Sequence, residues 1–145
     1  MNDIHYYEVN LLWDSKTRGT LNSPVFPGKI EVATPTEFSK VTKEKWTPEH
    51  LFVAAINSCL MSTFLLAAES SKIKFIRFES NAIGTIKKVD GKFALTEITI
   101  KPNLVIQSTQ NESKARRVLA MSEKACAIAN SIKTKIILEP IVTVQ

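Results

Sequence analysis

The chain has 145 residues, 44% of them hydrophobic and 23% charged, which suits a single folded domain over 1–145 and excludes a disordered or collagen-like chain. Its net charge of +5 is scattered over pairs such as Lys43/Lys45, Lys87/Lys88 and Arg116/Arg117, with no basic stripe interleaved with aromatics, which argues against a nucleic-acid partner. No uninterrupted apolar run reaches the roughly 18 residues of a membrane span, and the N-terminus lacks the basic-then-apolar order of a signal peptide, so a cytoplasmic protein without a membrane partner is expected.

Residues 4–13 are rich in aromatic and aliphatic side chains and read as a strand. Residues 14–22 are polar, contain Gly19 and read as a turn carrying Arg18. Residues 28–33 alternate as a second strand, and 34–45 read as a loop. Thr47-Pro48-Glu49 opens a helix: threonine caps free N–H groups, proline suits the first helical position, and glutamate favours the positive end of the dipole. The helix runs to about Ser70 and is apolar or small on nearly every face from Leu51 to Ala68. Such a helix has to be covered all round. One subunit of this size hardly does so, and a partner subunit is expected; the alternative is the central helix of a monomeric core.

Residues 74–89 and 92–106 read as long strands joined at Asp90-Gly91, where a tight hairpin needs positive φ. Lys101-Pro102 is expected to weaken or end pairing in the second of them. A second helix is expected over 112–130, capped by Asn111 or Ser113. Its stripe Ala115, Val118, Leu119, Ser122, Ala125, Cys126 and Ala129 keeps the helical period. Residues 135–144 read as a last strand, which Pro140 assigns to an edge or a bulge. Strands, helix, hairpin, helix, strand make an α+β domain.

The chemistry rests on Cys59 and Cys126. His5 and His50 have no second ligand nearby in sequence, so no metal site is expected. A structural disulfide is unusual in a reducing cytoplasm. Two inert buried thiols or a redox pair remain. Both cysteines face inward on helices, and they meet only if those helices pack. A mid-helix thiol gains nothing from a helix N-terminus, so a reactive Cys59 calls for a nearby cation. Asn57 and Ser58 either hydrogen-bond near the thiol or serve packing. Leu51, Phe52, Ile56, Leu60 and Phe64 suit an alkyl chain or plain core.

The run Trp46-Thr47-Pro48-Glu49-His50-Leu51-Phe52-Val53-Ala54-Ala55-Ile56-Asn57-Ser58-Cys59 resembles the OsmC/Ohr signature, a Ser/Thr-Pro-Glu-x-Leu helix start with a reactive cysteine ten residues after the glutamate. Glu123-Lys124-Ala125-Cys126-Ala127-Ile128-Ala129-Asn130-Ser131 is similar to the family's second-cysteine helix, and Pro35-Thr36-Glu37-Phe38 to its Pro-x-x-Phe loop. The family often has Cys-Pro where this chain has Cys126-Ala127, and its Ohr branch usually has a glycine-rich loop where this chain has Ser15-Lys16-Thr17-Arg18-Gly19.

The resemblance implies an OsmC-like fold, antiparallel sheets around two buried central helices in an intertwined homodimer. It implies a peroxidase that reduces organic hydroperoxides to alcohols. Cys59 becomes the sulfenic acid and Cys126 resolves it to a Cys59–Cys126 disulfide; an external dithiol, such as a lipoyl group, is the reductant, with no cofactor. Arg18 corresponds to the family's arginine and Glu49 to the glutamate that ion-pairs with it. Ten residues separate Glu49 from Cys59, about 15 Å along one helix, which leaves two geometries: Arg18 spans the distance within one subunit with Glu49 gripping its far side, or, as the apolar helix favours, two such helices cross in the dimer and Glu49 serves the Cys59 of the partner chain. Two other readings stand beside this one. One is a non-catalytic stress or ligand-binding protein on the same fold; the other is a basic protein associated with nucleic acid.

Overall fold

The computed structural model describes residues 3–35 and 45–145, in two compact units, 1–51 and 52–145. In the first unit β1 (Asn10–Ser15), β2 (Arg18–Ser23) and β3 (Phe26–Ala33) form an antiparallel meander in that order. The strand expected from residue 4 begins only at Asn10; the residues before it lie outside any strand, with Tyr6 and Tyr7 almost fully exposed. The expected turn over 14–22 is mostly strand. Only Lys16-Thr17 turns the chain, with Lys16 in the left-handed region at φ 51° and its carbonyl accepting the Trp13 indole N–H at 3.0 Å. Gly19 is a strand residue between Trp13 and Val32. A Cβ on it would meet the Leu12 carbonyl oxygen at 3.0 Å, so glycine lets β1 lie close to β2.

Helix α1 (Pro48–Ser70) starts as expected. The Thr47 hydroxyl accepts the His50 N–H at 3.2 Å, and the Thr47 carbonyl takes the first helical bond from Leu51 at 3.0 Å.

In the second unit β4 (Phe75–Val89) and β5 (Lys92–Ile106) form the expected long hairpin, with Asp90 at φ 52° and Gly91 at φ 78°. Pairing runs on through Pro102, against expectation. The expected last strand is two short strands, β6 (Lys135–Leu138) and β7 (Ile141–Val144), both parallel to β5 at the edge of the sheet, with Pro140 in the break between them. The antiparallel hairpin thus belongs to a mixed sheet. Ile100 and Ile106 aim their carbonyls at the β6 and β7 side, accepting the Glu139 and Gln145 N–H groups at 2.9 Å each. Residues two apart share a side. The N–H that Pro102 lacks therefore falls opposite the break at Glu139-Pro140, where no ladder bond is lost.

Helix α2 (Glu112–Ala125) follows a 3-10 turn over Thr109–Asn111. The capping hydroxyl there is Ser108, which accepts the Gln110 N–H at 3.3 Å; Asn111 makes no side-chain cap bond. The helix ends well short of residue 130. Cys126 is its extended cap residue, at φ −64° and ψ 115°, and a second 3-10 turn, Ala129–Ser131, comes after it.

Ile56, Leu60, Phe64 and Ala68 form the buried stripe of α1. Phe64 and Ala68 pack with Leu104, Ile106 and Leu119, and Ile56 and Leu60 pack with Ile98 and Ile100. Ile56, Leu60 and Phe64 are therefore core and do not line a site. Other parts of α1 are exposed: Met61, Leu65 and Leu66 are 40%, 41% and 69% exposed among the described residues. By length and mean hydropathy (2.0) α1 would also suffice to cross a bilayer, although polar residues interrupt its apolar runs.

Candidate active site

Cys59 lies midway along α1, beside the stripe that Ile56 and Leu60 press onto the sheet, and is half-buried. Cys126 is fully buried, and both thiols are free. The end of α2 brings them together. Asn130 donates its backbone N–H to the Cys126 carbonyl at 3.0 Å and its side-chain amide to the Lys124 carbonyl at 3.1 Å. The Ser131 hydroxyl reaches the Ala127 carbonyl at 2.7 Å. This tight cap satisfies carbonyls that the helix end leaves free and presents the Cys126 thiol and the N–H groups of Ala127 and Ile128 to Cys59.

The two thiols are held unequally. Burial pushes the Cys59 thiol up, but hydrogen bonds from the Cys126 thiol, the Ile128 N–H, the Thr63 hydroxyl and the Ala127 N–H outweigh it and hold Cys59 below the ordinary thiol value. Cys126 is pushed up, first by burial, then by donating to Cys59 and by the charge of the Cys59 thiolate. The Ala129 N–H, 3.5 Å from the Cys126 sulfur, acts the other way. The pair thus favours a thiolate on Cys59 and a proton on Cys126. Neutral donors produce this, where the sequence pointed to a cation.

Arg18 is the first residue of β2, exposed, and donates to the Ser15 hydroxyl at 3.3 Å. It lines a shallow polar cleft of the first unit with Asp14, Thr20, Glu31 and Lys45. Glu49 is half-buried in the first turn of α1, and its Oε2 is buried with no hydrogen-bond partner among the described residues. Among those residues no ion pair joins Arg18 to Glu49. Asn57 and Ser58 do not serve the thiol. Asn57 exchanges hydrogen bonds with Ser80, accepting from its hydroxyl at 2.6 Å and donating to its carbonyl at 3.1 Å, and Ser58 bonds back to the Ala54 carbonyl at 2.7 Å. His50 pairs its Nδ1 with the Thr47 hydroxyl at 2.6 Å. Among the described residues no cluster could hold a metal ion. Sequence reasoning missed Thr63, although its place one turn after Cys59 puts it on the same helix face.

Residues 41–140 match the family described as OsmC-like protein. The chain belongs to the OsmC/Ohr family. No curated protein matches it by sequence. An OsmC-like protein of unknown function from Vibrio cholerae is 23% identical with a TM-score of 0.86, over 95% of this chain and 100% of that one. An OsmC-like protein from Mycoplasma pneumoniae is 18% identical with a TM-score of 0.80, over 96% and 98%. An organic hydroperoxide resistance protein from Elizabethkingia anophelis is 20% identical with a TM-score of 0.77, over 100% of both chains. At these identities the likeness is one of fold. Ala127, standing where the family often has proline, keeps an N–H, and that N–H is one of the donors to Cys59. Most of the Pro35-Thr36-Glu37-Phe38 motif lies outside the described residues.

Proposed function

We propose that this OsmC-like protein is a cytoplasmic thiol peroxidase that reduces organic hydroperoxides to alcohols, with Cys59 peroxidatic and Cys126 resolving. The observation that carries this reading is the unequal thiol pair, a favoured thiolate beside a thiol that keeps its proton. The Cys59 thiolate bonds to the distal oxygen of ROOH and the O–O bond breaks. Sulfur is oxidised by two electrons to the sulfenic acid, and the departing alkoxide takes a proton to become ROH. Cys126 then attacks the sulfenic sulfur as its thiolate, hydroxide leaves, and the Cys59–Cys126 disulfide forms. An external dithiol of lipoyl type returns both thiols, and no cofactor takes part.

In this reading Arg18 and Glu49 complete the site, Glu49 coming from the second copy of a homodimer. A buried carboxylate oxygen without a partner supports a guanidinium bound there. The experiment is peroxide consumption by the purified protein with cumene hydroperoxide and an excess of dithiol. Catalytic turnover that disappears in Cys59→Ser is expected. Turnover no faster than the dithiol alone sinks the reading.

A further inference from the structure

The Thr63 hydroxyl lies 4.0 Å from the Cys59 sulfur, one turn further along α1. Serine and threonine inside a helix commonly turn the hydroxyl back to the carbonyl one turn earlier. Ser58 does so to Ala54 and Ser122 to Val118, each at 2.7 Å. For Thr63 that carbonyl belongs to Cys59 itself. The hydroxyl leaves it and faces the sulfur, its one hydrogen-bonding neighbour among the described residues. A thiolate has no proton to give. Whenever Cys59 is ionised, the hydroxyl is the donor.

We propose that Thr63 is a catalytic residue of the peroxide-reducing step, its O–H held on the Cys59 sulfur as hydrogen-bond donor while that sulfur attacks. The inference rests on the peroxidase reading. Burial works against the Cys59 thiolate, and the donors that oppose it come from two places. The Cys126 thiol and the Ala127 and Ile128 N–H groups all belong to the segment after α2, whereas Thr63 belongs to the helix that carries Cys59. Cys126 loses its proton when it attacks the sulfenic acid. Thr63 keeps its proton throughout: in the step it serves, the S–O bond forms, the O–O bond breaks, and the alkoxide is protonated by solvent.

The test uses full-length protein in a Cys126→Ala background, where Cys59 is the only thiol. The rate of iodoacetamide alkylation against pH gives the ionisation midpoint of Cys59. Thr63→Val keeps the shape and removes the hydroxyl. Its midpoint should rise by about half to one pH unit, the shift one ordinary hydrogen bond carries, and single-turnover consumption of cumene hydroperoxide should slow. Thr63→Ser should restore both. Thr63→Ala serves the same arm if valine does not pack. A midpoint or a single-turnover rate that stays at the parent value in the folded variant overturns the proposal. Alkylation needs no peroxide, so a parent that alkylates normally but consumes no peroxide sinks the peroxidase reading, while an unmoved midpoint sinks Thr63.

Discussion

Cys59 and Cys126 share one set of hydrogen bonds but hold their protons differently, and most testable consequences at the scale of residues come from that difference. The thiolate is the reactive form. A midpoint below the ordinary thiol value means that Cys59 stays reactive as pH falls into the range where a free cysteine is already protonated. Cys126→Ala removes the strongest of the hydrogen bonds that lower Cys59, so the midpoint should move up and reactivity should be lost at a higher pH on acidification. Alkylation against pH checks the sign, and a midpoint that falls contradicts this account. Roles separate by stoichiometry. Cys59→Ser should not react with peroxide even once, while Cys126→Ser should consume about one equivalent and stall as a sulfenic or overoxidised acid. Mass spectrometry that finds the sulfenic acid first on Cys126 reverses the assignment. Because both thiols meet inside one chain, oxidation should leave no covalent dimer on a non-reducing gel. Both cysteines stood out in the sequence. It did not show that they meet, because the meeting depends on α2 stopping at Ala125.

Among the elements, the junction of α1 with β4 decides where Cys59 points. The stripe Ile56, Leu60, Phe64 and Ala68 holds the helix on the sheet through contacts that are not directional. The reciprocal Asn57–Ser80 bonds are directional, and they fix the helix at one position along β4. Gly84 sets the approach one turn earlier, because a Cβ there would lie 2.6 Å from Val53 Cγ2. Gly84→Ala should therefore destabilise the fold by about 1–3 kcal/mol, as overpacking does. Adding Val53→Ala should recover part of the loss, as read from urea unfolding midpoints. If the double variant is no more stable than Gly84→Ala alone, the clash is not the cause.

Elements whose signal is local were legible. The Thr47 cap, Pro48 at the first helical position and the Asp90-Gly91 turn each act through their own backbone. β2 was hidden because its side chains are mostly polar and its glycine serves strand packing. The end of α2 was hidden because Ala129 continues the helical period after the backbone has left the helix. What turns the chain there is a set of bonds to Asn130 and Ser131 that periodicity does not encode.

For the whole molecule, the unsolved term is the apolar surface that one chain leaves in water. Only Ile56, Leu60, Phe64 and Ala68 of α1 are buried, while Leu66 is 69% exposed. Leu11, Leu12 and Trp13 of β1 are also exposed, at 65%, 65% and 70%. A stable monomer rarely presents so many large apolar side chains on regular elements, and an obligate dimer typically buries more than about 2,000 Å². The sequence carried this feature clearly, since a helix apolar on nearly every face needs a second surface. Sedimentation at micromolar concentration should find a species of twice the 16.2 kDa chain mass. Leu66→Lys is the decisive variant. The side chain stands in solvent in the single chain, so a charge there costs the fold of one chain little, but it would be desolvated against a partner. The variant should sediment as a folded monomer, with the far-ultraviolet circular dichroism of the parent. A parent that is itself a stable monomer refutes the dimer. A Leu66→Lys protein that remains dimeric moves the interface off this face of α1.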